Sequence, residues 1–243
     1  MLRYNGVDLA TIHKAVSLSS AGPGGWSRDI RRIETGQGGL VAYARDEGAT
    51  YHAVVNISAR TVDEGKEALQ AVRSWARGTG GMGEIDPHGE DGYAYDGMLL
   101  SVEEPDWQHG FGTVRVEWLL DSPHRRSVQE SRATTAAATE LCFRVSGTAA
   151  AYATFEVSPV TDQATLTVQL DGRPLVLRNQ KTTGGRVLVI DTQHEKLTIG
   201  TTDVTAQTDW SQTSYDHPLE RGEHVLTCSA EARLTARWHD RWA

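Results

Sequence analysis

A mainly β chain of two halves, with one helix in the first, is what this sequence predicts. Three observations carry the prediction. Short runs of alternating apolar and polar residues, parted by turn residues, recur along the chain and dominate it from Leu141 onward; many short strands at regular spacing point to a sandwich or jelly roll. A single segment, Thr61 to Gly78, has helical periodicity. Between the halves, DSPHRRS, Asp121 to Ser127, has a proline turn followed by polar residues, the composition of a boundary. The expected domains are therefore 1–126 and 127–243.

Taken in order, LRYNGVDL opens with two short runs around Asn5–Gly6, the preferred two-residue hairpin turn because both central positions need positive φ. KAVSLSS, IRRIET, LVAYARD and TYHAVVNIS follow as strands, interrupted by a Gly/Pro-rich loop over Ser20–Ser27. In TVDEGKEALQAVRSWARG, Thr61 stands three residues before Glu64, a capping-box spacing. Ala68, Leu69, Val72, Trp75 and Ala76 share one helical face, and Gly78 sits where a C-terminal glycine cap belongs. A long loop rich in Gly and acids, Thr79 to Asp96, is expected next, then strands at MLLSVEE and TVRVEWLL. The polar, Ala-rich ESRATTAAATE follows the junction. Beyond it LCFRV, ATFEV, ATLTVQL, RPLVLR, RVLVID, KLTIG, HVLTCS and ARLTARW read as strands, with Asp171–Gly172 the clearest turn among them.

Composition narrows the function. Of 243 residues 39% are apolar, ordinary for a globular protein. Acids outnumber bases 32 to 24, a formal charge of -8. That argues against a nucleic-acid binder, which carries a basic domain or stripe; Arg31–Arg32 and Arg125–Arg126 are too short for one. Cys142 and Cys228 are no disulfide framework; both lie in expected strands of one domain and read as buried thiols, with a single bridge as the alternative. The N-terminus lacks the signal-peptide pattern and no run approaches the ~18 apolar residues of a membrane span, so synthesis in a cytoplasm is expected.

The stretches that look like chemistry have plainer readings. In RVLVIDTQHEKLTIG two alternating runs are joined by four polar residues, so Asp191, His194 and Glu195 cap a bend. A zinc-binding helical pair would need a second His at position 198, which is Thr. GTGGMG has the letters of a dinucleotide loop but follows a helix instead of opening one. Glu103 and Glu104 are neighbours on a strand and point to opposite faces. The acids of EIDPHGEDGYAYDG lack calcium-loop spacing, and His217, His224 and Cys228 lack a Cys-x-x-Cys partner for a metal. No catalytic residue, metal or cofactor is assigned. Among the seven tryptophans, Trp75 and Trp118 read as core. Trp210, Trp238 and Trp242 either close the bottom of a sandwich or form a sugar-stacking platform. Trp26, in a Gly-rich loop, is the best exposed contact.

The order of elements resembles that of the distal tail proteins of long-tailed phages. LRYNGVDL looks like that family's opening Tyr/Phe-x-Gly segment, Asp63–Arg77 is similar to its single helix, and VEWLLDSPHRR resembles its inter-domain link. GGRVLVIDTQHEKLTIG looks like its strand, Ile-Asp, turn, strand hairpin. LERGEHVLTCSAEARLTARWHDRWA looks like its ending, with a terminal Arg-x-Trp, although Glu220–Arg221–Gly222 lacks the usual proline. The inserted sugar-binding module of some members is absent from the sequence. The resemblance implies a belt or split-barrel first domain that closes into a hexameric ring and a galectin-like β-sandwich second domain. It implies a non-enzymatic virion protein, assembled in the host cytoplasm, that joins the tail tube to the baseplate hub and passes the genome through its lumen. Expected partners are further copies of the chain, the tail tube protein and the hub or tail-associated protein, with a receptor-binding protein as a further possibility. Candidate contacts lie in the two loops that could reach axial partners: Trp26, Arg28, Arg31 and Arg32 in and after the first, Asp86, His88, Tyr93 and Tyr95 in the second. The alternative from another class is a carbohydrate-binding sandwich for cell-wall glycan. A glycan hydrolase would need two carboxylates roughly 5–10 Å apart, which no spacing here predicts.

Overall fold

Asn5 and Gly6 take φ of 50° and 76°, and the strands Arg3–Tyr4 (β1) and Val7–Asp8 (β2) fold back on each other across them. This hairpin opens a computed structural model that describes residues 1–24, 27–35, 38–47, 49–89, 92–108, 110–163, 166–177, 186–207 and 218–243; for 27–35, 38–47, 175–177 and 207 the backbone alone is described. The chain divides into two units, Met1–Arg125 and Arg126–Ala243.

In the first unit Asp8 caps a four-residue helix, Leu9–Ile12 (α1), through Ala10 N at 2.9 Å, a second helix beyond the one the periodicity predicts. Its single turn is too short to show a period. Strands Val16–Pro23 (β3), Ser27–Thr35 (β4), Gly38–Glu47 (β5) and Thr50–Ser58 (β6) follow. β3 runs through to Pro23, so pairing with β6 absorbs half of the expected Ser20–Ser27 loop; as an edge strand it tolerates the proline. β4 and β5 form their own two-stranded sheet.

Helix Val62–Arg77 (α2) starts and ends where the capping signals place it. Thr61 Oγ1 accepts from Glu64 N and Glu64 reaches back to Arg60 N, one residue before the cap. Gly78 N donates to Ser74 O and Trp75 O; its φ of 50° and the approach of Tyr4 leave no room for a Cβ. The expected Thr79–Asp96 loop is interrupted by strand at Gly83–Asp86 and gives way to strand again from Tyr93. Gly83–Asp86 (β7) lies between β1 and Tyr93–Val102 (β8), a four-residue strand fixed by partners on both sides. Asp106–Gln108 (β9), Phe111–Leu120 (β10) and Arg125–Ser127 (β11) follow, the last inside the expected junction. The main sheet runs β2-β1-β7-β8-β10-β6-β3. Its inner face and α2 share a core built on Tyr4, Tyr51, Trp75 and Trp118. Trp75 and Trp118 meet edge to face at 5.6 Å, and Trp75 Nε1 donates to Val7 O at 2.9 Å.

The second unit has strands Ser131–Val145 (β12), Ala153–Pro159 (β13), Leu166–Leu170 (β14), Arg173–Leu177 (β15), Leu188–Asp191 (β16), Lys196–Ile199 (β17), Thr202–Asp203 (β18), Gly222–Trp238 (β19) and Arg241–Trp242 (β20). All but the first residue of ESRATTAAATE lies in β12, of which it is the longer, N-terminal part, and HVLTCS and ARLTARW are one strand, β19. Propensity alone does not mark Ala-rich ESRATTAAATE as a strand; its pairing with β19, about a hundred residues on, does. β12 borders β19 along its length. On the other edge β19 pairs first with β14 and then with β13. Between Ala138↔Ala232 and Glu140↔Thr227 the ladder skips, leaving Cys228 to Glu231 opposite Thr139. One long strand thereby passes from a sheet ending in β14–β15 to one ending in β13–β16–β17–β18, and both close on one core from Leu141 to Trp238.

Asp171 and Gly172, at φ 51° and 77°, turn β14 into β15. Cys142 and Cys228 are unbridged, and Cys228 is buried, but Cys142 is exposed, against expectation. It alternates with buried Leu141 and Phe143, so strand geometry turns it outward. Its Sγ donates to Glu140 Oε1 at 3.3 Å, which raises the thiol pKa; burial raises that of Cys228. A thiol titration is expected to find one group in the native protein, slower than a free thiol at pH 8, and a second only on unfolding. Two fast native thiols would contradict the register of β12.

Candidate functional site

The hairpin of β16 and β17 settles the Asp191–Glu195 stretch as a turn. The strands pair from Leu188↔Ile199 to Asp191↔Lys196. Asp191 Oδ1 accepts from Gln193 N and His194 N, both at 3.1 Å, Oδ2 lies 2.8 Å from His194 Nδ1, and Glu195 has φ 51°. His224 is equally occupied: Nδ1 lies 2.7 Å from Asp171 Oδ2 and Nε2 2.7 Å from Glu220 O. His217 lies outside the described residues, among which no group of three or more His, Cys, Asp or Glu could hold a metal ion. Glu103 pairs with Arg115 at 3.9 Å and Glu104 with Arg73. GTGGMG continues from the C-terminal end of α2.

Trp238 is 6% exposed and packs on Phe143 at 5.1 Å, so it presents no face to a sugar. Trp242 is partly buried, and Trp210 lies outside the described residues.

The candidate contacts fall into two groups. Trp26 lies outside the described residues. Arg28, Arg31 and Arg32 occupy positions on β4 opposite Asp46, Tyr43 and Val41 of β5. Asp86, His88, Tyr93 and Tyr95, by contrast, come together. Asp86 Oδ1 accepts from His88 N at 3.1 Å and Gly89 N at 2.6 Å, and so fixes the turn after β7. His88 and Tyr95 line a cleft of about 370 Å³ within the first unit, together with Tyr51 of β6 and Arg125. Leu18, Pro23 and Pro87 are apolar walls. The Tyr51 and Tyr95 rings lie 5.5 Å apart, and the Arg125 guanidinium sits 5.5 Å over the Tyr93 ring. Burial, then neighbouring Tyr95 and Asp86, pushes the Tyr51 phenol far up; burial also raises Tyr95, against the lowering effect of Arg125. Both phenols are therefore neutral hydroxyls at physiological pH.

Sequence reasoning missed Tyr51 and Arg125, which come from an ordinary strand and from the junction. It also passed over Trp107, 42% exposed beside Gly65 and Gly112. A Trp in the polar turn segment EPDWQHG was the signal for it. A further outward surface pairs Met98 with Leu119 across β8 and β10, with Leu100 next to them, all three exposed.

Residues 146–242 match the family of the siphovirus-type tail component, C-terminal domain. In fold, the whole chain is similar to the Dit protein of phage SPP1, described as a paradigm of the hub adsorption apparatus in phages that infect Gram-positive bacteria. The TM-score is 0.75 at 14% identity, over 100% of this chain and 98% of that one. Chains of the phage P2 baseplate in its activated conformation are also similar: 0.54 at 8% identity with calcium, over 99% and 98% of the two chains, and 0.51 at 8% with strontium, over 98% and 97%. A search of curated proteins finds no match by sequence.

Fold and family together define a structural component of a phage tail or baseplate. The second domain matches the siphovirus-type tail component, C-terminal domain, over residues 146–242, and the chain as a whole has a fold similar to that of the SPP1 Dit protein.

Proposed function

We propose that this chain is the distal tail protein of a long-tailed phage, that its copies close into a ring of six, and that the ring joins the tail tube to the baseplate hub. The observation that carries the reading is a single fold similarity running end to end through both domains. Six subunits, the lumen that passes the genome, the axial partners and assembly in the host cytoplasm come from the family resemblance.

A ring needs heterologous contacts that close by rotation, and two features suit that. The β4–β5 hairpin is nine and ten residues long and pairs with no third strand among the described residues. A two-stranded hairpin is marginal in water by itself, so a neighbouring subunit is its natural support. The exposed Met98, Leu100 and Leu119 offer apolar area of the kind that contacts bury. The acidic balance favours a lumen through which DNA slides.

Light scattering with negative-stain imaging tests this. A closed ring near six times 26.6 kDa is expected. Gly24 N donates to Thr50 O at 2.7 Å, closing the base of the hairpin, so 27–47 can be replaced by a short Gly-Ser link without breaking the main sheet. That variant is expected to keep a folded β-type far-UV spectrum, short of the hairpin's own contribution, and fall to a monomer. A hairpin-free protein that still forms the full ring would remove the hairpin from the contact. A wild-type monomer that stays single with tail tube and hub proteins present would remove the ring.

A further inference from the structure

The cleft of the first unit holds three hydrogen-bond donors with no acceptor among the described residues. Tyr51 is 1% and Tyr95 7% exposed, and no described residue accepts from either hydroxyl. Buried phenols ordinarily find a partner. The buried polar side-chain atoms sealed without one, among the described residues, are His52 Nδ1, Trp118 Nε1 and Arg237 Nε. The two phenols are not among them, so their hydroxyls reach solvent, and the cleft is where their rings do so. Arg125, the third donor, rests on the Tyr93 ring and has no carboxylate beside it among the described residues.

We propose that this cleft is a socket for a carboxylate, an aspartate or glutamate side chain of a partner protein, received by the Tyr51 and Tyr95 hydroxyls and the Arg125 guanidinium. A guanidinium fork and a carboxylate match in plane and spacing. Leu18, Pro23 and Pro87 give the methylene stem of such a side chain an apolar wall. Asp86 lies close enough to Tyr51 to raise its pKa, so the site suits a single negative charge better than a phosphate dianion. Asp86 already accepts from two backbone amides and does not close the cleft itself. That the partner is another tail protein rests on the reading above; the ligand chemistry does not.

Calorimetric titration of the full chain with glutarate, which offers one carboxylate to the cleft and keeps the other in solvent, and separately with inorganic phosphate at matched ionic strength, tests the site independently of the ring. Saturable glutarate binding is expected, with a dissociation constant on the order of millimolar. Arg125→Gln and the double variant Tyr51→Phe/Tyr95→Phe are each expected to weaken it at least about tenfold, the loss of roughly one charged hydrogen bond, with melting temperatures near wild type. Gly22 also lines the cleft, and a Cβ there meets nothing within 4 Å. Gly22→Met therefore fills the space without touching the donors and is expected to abolish binding even if the other variants fold poorly. No saturable heat up to on the order of 50 mM glutarate, or equal binding by Gly22→Met, overturns the proposal. Tighter binding of phosphate than of glutarate overturns the carboxylate assignment.

Discussion

Trp118→Ala is expected to cost the first domain about 4 kcal/mol, within the range for truncating a buried aromatic. Trp118 is fully buried on β10. Its ring meets Trp75 of α2 at 5.6 Å, Tyr4 of β1 at 5.5 Å and Tyr51 of β6 at 6.3 Å. It is therefore where the helix, the N-terminal hairpin and the sheet all pack. The cavity would have rigid aromatic walls on several sides, which collapse poorly. The Nε1 proton has no acceptor, so Trp118→Phe removes a sealed donor along with some volume and is expected to lose no more than about 1.5 kcal/mol. Urea unfolding of both variants gives the comparison. A Phe variant as damaged as the Ala variant would mean that the indole N–H is satisfied after all.

The second large effect is expected at Asp240. Its side chain is buried and gathers four donors. Oδ1 accepts from Ser146 N at 2.9 Å, Trp238 Nε1 at 3.1 Å and Gly147 N at 3.4 Å, and Oδ2 from Ser131 Oγ at 3.2 Å. The carboxylate thus ties the start of β12, the turn after it and the end of β19 together. Gly147 is needed for this closure, since a Cβ there would fall 2.1 Å from Arg241 O. Asp240→Ala leaves several buried donors without an acceptor and is expected to cost about 3 kcal/mol or more. Asp240→Asn keeps one acceptor oxygen and is expected to cost roughly a third of that. Thermal unfolding monitored by circular dichroism distinguishes them. A loss under about 1 kcal/mol for the Ala variant would show that water replaces the carboxylate and that the tie is dispensable.

Much of this architecture is legible in the sequence. Thr61, Glu64 and Gly78 mark the ends of α2 because caps act on their own backbone. Asn5–Gly6 and Asp171–Gly172 mark turns because so few residues take positive φ. The hairpin Leu188–Ile199 was legible from alternation and showed Asp191, His194 and Glu195 to be turn residues. The errors share a cause. β7, the N-terminal part of β12 and the continuity of β19 depend on partners far along the chain, and Gly83–Asp86 or ESRATTAAATE carries too little local preference to announce them. Cys142 faces outward because of the register of one strand, which composition does not encode.

The candidate site divides along the same line. Asp86, His88, Tyr93 and Tyr95 were picked as residues of one loop, and they do lie together. What they lie beside was not legible: Tyr51 sits some forty residues before Tyr95, and Arg125 thirty after it. The turns, the helix with its caps, and the alternation that makes each half a layer of strands follow from the steric and hydrogen-bonding preferences of neighbouring residues. Tertiary structure alone decided which strands pair, which tryptophans are sealed, and that two phenols and a guanidinium share one cleft. Those outcomes depend on distances between residues remote in the chain, which only the closing of the core sets.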